Sequence, residues 1–253
     1  MELKNLIARG DNIEVYECDG KAVKVFNDKK LKEKCLYEAL TQARVETTLV
    51  NSSLKMPTVQ EVSVLPDGRW AITMDLIKGK TMDELIKENP SKADLYVDKL
   101  VEIQMELHSQ YMPLLSKLKD KLARQIKSLG TIDEIKKYEL LTRLDSMPKH
   151  IKLCHGNLAP QNIIINDEGT FVLDWVTARQ GNASADVGRT YLVLCMNYPE
   201  IAERYLNKFC NESGTSKRYV QAWLPIVAAA QLVRNIPSEK DFLMRWIDVV
   251  DYE

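Results

Sequence analysis

The segment HGNLAPQNIIINDEGTFVLD, which spans His155–Asp174, decides how this chain is interpreted. Apolar runs on both sides of the turn at residues 167–169 (DEG) predict a β-hairpin. Asn162 stands where the hairpin begins and Asp174 where it ends. The two strands would therefore hold an amide oxygen and a carboxylate at a fixed separation, and both are oxygen ligands that suit Mg²⁺.

The order of residues in this segment points to phosphate chemistry. Phosphoryl transfer needs metal ligands, a group that orients the attacking hydroxyl, and a cation on the non-transferred phosphates. A loop D-x-x-x-x-N followed by a hairpin and a second Asp supplies the first two, but here the first position is Asn157. Taken singly, Asn162 also fits a turn residue and Asp174 a loop cap. Together, in the order H-G-x-x-x-P-x-N, hairpin, D-W, they favour a phosphoryl-transfer site.

A lysine upstream provides a candidate for the required cation. Two alternating runs joined by the turn at residues 19–20 predict a hairpin, and Lys24 lies on its second run. A lysine on such a strand contacts the phosphates in kinase-type sites, although Lys24 alone also fits a surface position. A helical pattern follows over about residues 28–46. We expect Glu38 on that helix to hold Lys24, with Glu33 as the alternative.

The N-terminal part contains two further expected features. Residues 8–14 (ARGDNIE) are predicted to form the loop that covers the phosphates, with Gly10 as its single glycine. One glycine is much weaker than a G-x-G-x-x-G pattern. A second predicted hairpin follows, and Gly79 then marks the end of the strand-rich part. The expected domains are therefore a nucleotide-binding lobe, residues 1–79, and a helical acceptor-binding lobe, residues 80–253.

The C-terminal part has helical patterns interrupted by the hairpin. T-x-x-E capping boxes at Thr81 and Thr131 predict two helix starts. The apolar run Trp223–Val233 fits either a buried helix or a protein interface. The segment Pro237–Glu253 has a net charge of −3, which fits either a solvated acidic terminus or a surface for a cationic acceptor.

Composition limits the remaining possibilities. With 253 residues and a formal net charge of −1, the chain has no overall field that would attract nucleic acid or an anionic membrane. Its five cysteines are dispersed, which predicts free thiols in a reducing compartment. No apolar run has the length of a signal peptide or a membrane span. We expect a cytoplasmic protein, and its oligomeric state is not indicated.

With these motifs the chain resembles the aminoglycoside phosphotransferase family, which has a protein-kinase-like fold. The resemblance runs through the loop near Gly10, Lys24 in AVKVF, the segment ITMDLIKGKT, the loop HGNLAPQN, the LDW triplet, and ADVGRT with Asp186. It implies an α+β, bilobal fold with a small antiparallel-sheet N-lobe and a mainly helical C-lobe.

The same resemblance implies the ligands and their positions. ATP (or GTP) is expected in the cleft, with its base against the backbone around Met74, Asp75 and Ile77. Mg²⁺ is expected at Asn162 and Asp174. The acceptor would be a hydroxyl of a small molecule, and the family alone leaves that molecule open.

Asn157 departs from the family pattern H-G-D-x-x-x-x-N. The resemblance implies that Asn157, Lys24 and Glu38 form the catalytic set, with Asn157 in place of the base. General-base help is worth about 10²–10⁴ in rate, so slow turnover is expected. Three explanations stay open: an engineered variant of a faster enzyme, a naturally slow kinase, or a nucleotide-binding pseudo-kinase.

Overall fold

The computed structural model describes residues 3–10 and 12–248. Its strands are β1 Asn5–Gly10, β2 Ile13–Cys18, β3 Lys21–Phe26, β4 Val59–Val64, β5 Trp70–Asp75, β6 Lys80–Thr81, β7 Lys152–Cys154, β8 Ile163–Asn166, β9 Gly169–Val172 and β10 Arg179–Gly181. Its helices are α1 Lys32–Thr48, α2 Met82–Glu88, α3 Ala93–Ser109, α4 Leu118–Ser128, α5 Glu134–Ser146, α6 Ala183–Asn197, α7 Pro199–Ser213, α8 Lys217–Gln221, α9 Leu224–Leu232 and α10 Pro237–Met244. The predicted α+β class, with an antiparallel sheet first and a mainly helical part after it, is confirmed.

The first five strands form one antiparallel sheet in the order β1-β2-β3-β5-β4. Both predicted hairpins, β2-β3 and β4-β5, are present. At the first turn Asp19 and Gly20 have φ angles of +50° and +77°. Two successive left-handed residues are what a tight two-residue hairpin turn requires, because their twist matches that of the strands.

Helix α1 packs against this sheet. Its residues Cys35 and Ala39 form a buried cluster with Phe26 of β3 and Ile72 of β5. Glu38 lies three residues after Cys35 and is also buried. The spacing puts the carboxylate on the sheet-facing side of the helix.

The hairpin β8-β9 pairs with chain segments from the N-terminal part. Ile163 lies opposite Val172 within the hairpin, and β8 continues the small sheet by pairing with β6. Lys55 bridges to Phe171 on the other side. These contacts give the hairpin a fixed place in the first of two compact units.

One of these units runs to Leu85 and also includes Gln161–Thr177, whereas the other comprises Ile86–Pro160 and the residues from Ala178 on. The division at residue 79 expected from the sequence assigned the hairpin to the C-terminal lobe. Backbone hydrogen bonds of Lys55 with Thr170 and Val172, each 2.9 Å, instead join the hairpin to the first unit. The nucleotide-binding and acceptor-binding roles of the two parts stay predictions.

The core of the second unit is helical. In α3 the side chains of Leu100, Ile103 and Leu107 are buried, while Leu95 at the start of the same stripe is exposed. All nine residues of α9 are buried. The apolar run from Trp223 is therefore a core helix, and the protein-interface interpretation is not supported.

The two predicted capping boxes have different outcomes. Thr81 and Glu84 bond reciprocally at the start of α2, with Glu84 Oε2 accepting from Thr81 N at 2.7 Å, which confirms that box. The box at Thr131 is wrong, because Asp133 caps α5 by accepting from Lys136 N at 2.7 Å. Asp133 directly precedes the helix, and its carboxylate is a good cap acceptor.

The five cysteines are free thiols, as expected. Within the described ranges, no helix combines the length and the apolar character that crossing a membrane would require.

Candidate active site

Lys24 lies on β3, between β2 and β5, and its side chain is buried. Its ammonium donates to the buried carboxylate of Glu38 on α1. Glu33, the alternative partner, is exposed near the start of the helix. The structure therefore brings together the pair expected from the sequence.

The charges around Lys24 keep it cationic. Burial alone would lower its pKa, but the carboxylates of Glu38 and Asp174 together raise the pKa above its ordinary value. Nζ lies 3.5 Å from Oδ1 of Asp174, whose side chain is about one-third exposed. The ammonium thus links one fully buried carboxylate to one that faces solvent.

Asp174 follows β9 with a φ angle of +62°. A left-handed conformation is uncommon for a residue other than glycine, although Asp adopts it more readily than most. The adjoining Leu173 donates its backbone N–H to the carbonyl of Asn162 at 2.8 Å. That bond ties the two ends of the hairpin together, so Asn162 and Asp174 are held on neighbouring segments.

Asn162 and Asp174 line one cavity of about 410 Å³ within the first unit. The size falls in the range of small-molecule and cofactor sites. All the residues expected to contact the nucleotide line the same cavity: Gly10, Lys24, Met74, Asp75 and Ile77. An amide oxygen and a carboxylate on one wall form a hard-oxygen donor set, which fits Mg²⁺.

Two of these wall residues are constrained by their surroundings. Gly10 ends β1 rather than lying in a loop, and a Cβ there would lie 3.1 Å from Cγ1 of Ile13. The carboxylate of Asp75 accepts from Thr58 N at 2.8 Å and from Gln60 Nε2 at 2.6 Å. The side chain of Asp75 thus stabilises the sheet. The contact with the nucleotide base expected at this residue involves its backbone instead.

The loop that carries Asn157 belongs to the second unit and is held by a buried carboxylate. Asp186 accepts from the backbone N–H of His155 at 3.0 Å and of Gly156 at 2.6 Å. It also contacts His108 Nε2 and Gln104 Nε2, each at 3.1 Å. Burial alone would raise the pKa of Asp186, but the hydrogen bond and charge of His108, with His155 and the Gly156 N–H, lower it below its usual value.

Asn157 is oriented by contacts of both its backbone and its side chain. Its backbone N–H donates to Nδ1 of His155 at 3.2 Å. Its side-chain Oδ1 accepts from Nη2 of Arg189 at 3.2 Å. The amide at the position of the expected base is therefore held by a guanidinium on α6.

Sequence reasoning identified Asp186 through the segment ADVGRT but missed Arg189 in the same segment. Asp186 and Arg189 are three residues apart, a spacing that puts both on one side of a helix. That spacing could have indicated that Arg189 lies near the same loop as Asp186. Sequence reasoning missed His108 and Gln104 because their relation to Asp186 depends on packing between α3 and α6, which no local pattern encodes.

The sequence profile described as the phosphotransferase enzyme family (APH) matches residues 23–223. The chain belongs to this family. The matched region contains Lys24, Asn157, Asn162, Asp174 and Asp186. No curated protein sequence matches the chain significantly.

Solved members of the family share the fold. A thermostable variant of aminoglycoside phosphotransferase APH(4)-Ia, in a ternary complex with ADP and hygromycin B, is 12% identical, with a TM-score of 0.71 over 97% of this chain and 90% of that chain. Aminoglycoside 2'-phosphotransferase-IIIa in complex with GDP is 16% identical, with a TM-score of 0.62 over 98% and 92%. APH(2")-IIIa with GDP and kanamycin is 15% identical, with a TM-score of 0.63 over 98% and 92%. The likeness confirms the kinase-like fold.

Proposed function

We propose that the protein transfers the γ-phosphoryl group of ATP (or GTP) to a hydroxyl of a small molecule. The observation that carries this proposal is the contact of Lys24 with Glu38 and Asp174 at the wall of one 410 Å³ cavity. Family membership supports it, as do the nucleotides and aminoglycosides bound by proteins of the same fold.

Each residue has a distinct part in the proposed reaction. Lys24 contacts the non-transferred phosphates, and Glu38 holds its ammonium in place. Asn162 and Asp174 would hold Mg²⁺, and the bound ion would neutralise part of the phosphate charge. The bond from the γ-phosphorus to its bridging oxygen breaks, a bond to the acceptor oxygen forms, and the nucleoside diphosphate leaves. The hydroxyl proton goes to solvent, because the amide of Asn157 cannot take it.

Slow turnover is part of the proposal. Phosphoryl transfer depends mainly on positioning and on charge stabilisation, so loss of the base lowers the rate without abolishing it. The expected loss is about 10²–10⁴ relative to an Asp at this position. Nucleotide binding should be unaffected, since Asn157 removes a negative charge rather than adding one.

Asn157 also favours a second candidate function, a nucleotide-binding module without significant turnover. In that case the intact Lys24, Asn162 and Asp174 would serve a nucleotide-dependent conformation. The two candidates share the binding step and differ in whether an acceptor is phosphorylated.

Calorimetric titration with Mg·ATP and Mg·GTP tests the shared step. We expect saturable binding that Lys24→Met weakens, whereas no binding of either nucleotide by the native protein overturns both candidates. Nucleotide consumption with a panel of amino sugars, sugars, hydroxy acids and alcohols then separates them. Acceptor-dependent formation of nucleoside diphosphate supports the phosphotransferase, and its absence throughout supports the module.

A further inference from the structure

A smaller cavity of about 50 Å³ lies in the second unit, beside the loop that carries Asn157. Its wall includes Gly156, the residue before Asn157, together with the polar side chains of Lys121, Gln125 and Arg189. A single water needs roughly 10–15 Å³ of such space. The cavity therefore suits one small polar group rather than a whole sugar.

The wall carries two cationic side chains, Lys121 and Arg189, and the charges of Glu239 and Asp186 only partly offset the burial that lowers the pKa of Arg189. Across residues 3–10 and 12–248, neither Lys121 nor Arg189 forms an ion pair with a carboxylate, and Nη1 of Arg189 is buried without a hydrogen-bond partner. Arg179 adds a third positive charge near Lys121. The one carboxylate in the wall, Asp186, is already occupied by its four donors.

The surroundings of Lys121 make its charge unfavourable when the cavity holds no anion. Burial, reinforced by the charges of Arg179, Arg189 and Arg124, lowers the pKa of Lys121 to about 7, and Asp186 opposes this only in part. The side chains of Lys121 and Arg189 are partly buried, and cations withdrawn from water are normally paired, because desolvation is otherwise uncompensated. A bound anion would supply the missing partner for both Lys121 and Arg189.

We infer that this cavity binds a carboxylate or phosphate group of the acceptor, so that the molecule phosphorylated is a small anionic hydroxyl compound. This inference rests on the proposed function. Arg189 connects the two parts of the site, since its Nη2 bonds Asn157 while its Nη1 remains for the anion. An acceptor anchored in this way presents its hydroxyl beside Asn157.

In the described part of the acidic C-terminal segment, two of the three carboxylates contact other side chains, and the third, Asp241, is exposed. Glu239 accepts from Gln231 and lies 3.9 Å from Arg234, and Asp248 pairs with Lys136 at 3.2 Å. Asp251 and Glu253 lie outside the described residues.

Calorimetric titration with matched probes tests the inference. D-glycerate and glycerol differ in one carboxylate, and inorganic phosphate provides the second type of anion. We expect the native protein to bind D-glycerate and phosphate but not glycerol. Lys121→Met should weaken binding of the effective anion at least tenfold, and Lys121→Arg should retain it within about threefold. Lys127→Met, an exposed lysine on the same helix α4, is the matched control and should leave binding unchanged.

The outcomes separate this inference from the proposed function. Mg·ATP binding is measured on each variant, and its retention in Lys121→Met shows that the variant is folded. Equal anion binding by the native protein and Lys121→Met overturns the inference, as does the absence of anion binding by the native protein. Either result leaves the proposed function standing. Failure of the native protein to bind nucleotide overturns the proposed function through a separate measurement.

Discussion

Arg189 donates a hydrogen bond from Nη2 to Oδ1 of Asn157 at 3.2 Å. A guanidinium has only donors, so the atom that faces it must be the amide oxygen. An amide oxygen can accept two hydrogen bonds, and in the proposed reaction the acceptor hydroxyl would donate one to Oδ1. In the proposed reaction Asn157 would therefore position the acceptor hydroxyl without removing its proton.

Restoring the carboxylate with Asn157→Asp should raise the rate of acceptor phosphorylation by about 10²–10⁴, or roughly 3–5 kcal/mol of barrier. The guanidinium of Arg189 would keep the new carboxylate ionised through a charge-assisted hydrogen bond. Steady-state nucleotide consumption with a phosphorylated acceptor measures the change. Asn207→Asp, an exposed position on α7, controls for the added charge and should have no effect. An unchanged rate in Asn157→Asp would favour the nucleotide-binding module.

Removing Lys24 should affect both nucleotide binding and stability. Lys24→Met leaves the buried Glu38 carboxylate without its partner, which should lower the free energy of unfolding by about 3–5 kcal/mol. The double variant Lys24→Met/Glu38→Leu should recover much of that loss without recovering nucleotide affinity. Urea unfolding and calorimetry measure the two effects. Lys21→Met, exposed at the start of the same strand, should change neither. Recovery of nucleotide affinity in the double variant would contradict the role proposed for Lys24.

Asp174→Asn should remove the metal-dependent part of nucleotide binding. The carboxylate is the charged member of the proposed oxygen ligand set, so its loss should reduce ATP affinity in Mg²⁺ at least tenfold while affinity in EDTA changes little. Titrations in the two buffers measure the difference. Asp167→Asn at the exposed hairpin turn is the matched control. If Asp174→Asn keeps the full difference in ATP affinity between the Mg²⁺ buffer and the EDTA buffer, the proposed metal site is wrong.

Asp186→Asn should destabilise the second unit, because four donors lose a buried carboxylate acceptor. The loss should be about 3–5 kcal/mol at pH 7. Since folding lowers the pKa of Asp186, its contribution is fully present above the unfolded pKa and is lost as pH falls through the folded pKa. The difference in unfolding free energy between native protein and variant should therefore shrink in acid. A constant difference from about pH 7 to pH 3 would rule out this linkage.

Lys121→Met should stabilise the protein, which distinguishes a binding residue from a structural one. Folding lowers the pKa of Lys121 from 10.5 to about 7. Below about pH 7 the lysine is protonated in both the folded and the unfolded state, so the full cost of burying its charge opposes folding. Between about pH 7 and pH 10 the folded protein loses this proton first, and the free energy of unfolding rises with pH. At pH 6 the variant should gain on the order of 2–4 kcal/mol. Thermal unfolding at several pH values, with Lys127→Met as the control, measures this. A less stable Lys121→Met would indicate a structural role.

Local patterns were sufficient for three elements of the first unit, although not for β1, part of which was predicted to be a loop. The turn at residues 19–20 and the alternation on each side predicted β2 and β3, and the helical spacing after them predicted α1. Lys24 lies on β3 and Glu38 on α1, which follows β3 in the chain. Their pairing could therefore be predicted from residues close together in the sequence. The prediction of the second capping box was wrong because Thr131 and Asp133 are both good cap residues, and the local pattern does not show which of them precedes the helix.

The second unit depended on contacts that no local pattern encodes. Lys121, Asp186 and Arg189 come together because α4, α6 and α9 pack around the loop at Gly156. Nothing in the sequence near Lys121 marks it as different from the exposed Lys127 on the same helix. Its partial burial and its lack of an ion-pair partner among the described residues arise only when the helices assemble.

The sequence by itself predicted the hairpins and helix α1, because strand alternation and helical spacing are local properties of the chain. The order H-G-N, N, D-W carried the family resemblance, and that resemblance implied the class of fold. Tertiary structure decided that the hairpin joins the first unit, that Arg189 holds Asn157, and that only partly compensated positive charge surrounds the smaller cavity. Those features depend on which distant side chains become neighbours and on how much water is excluded between them, and both are consequences of packing.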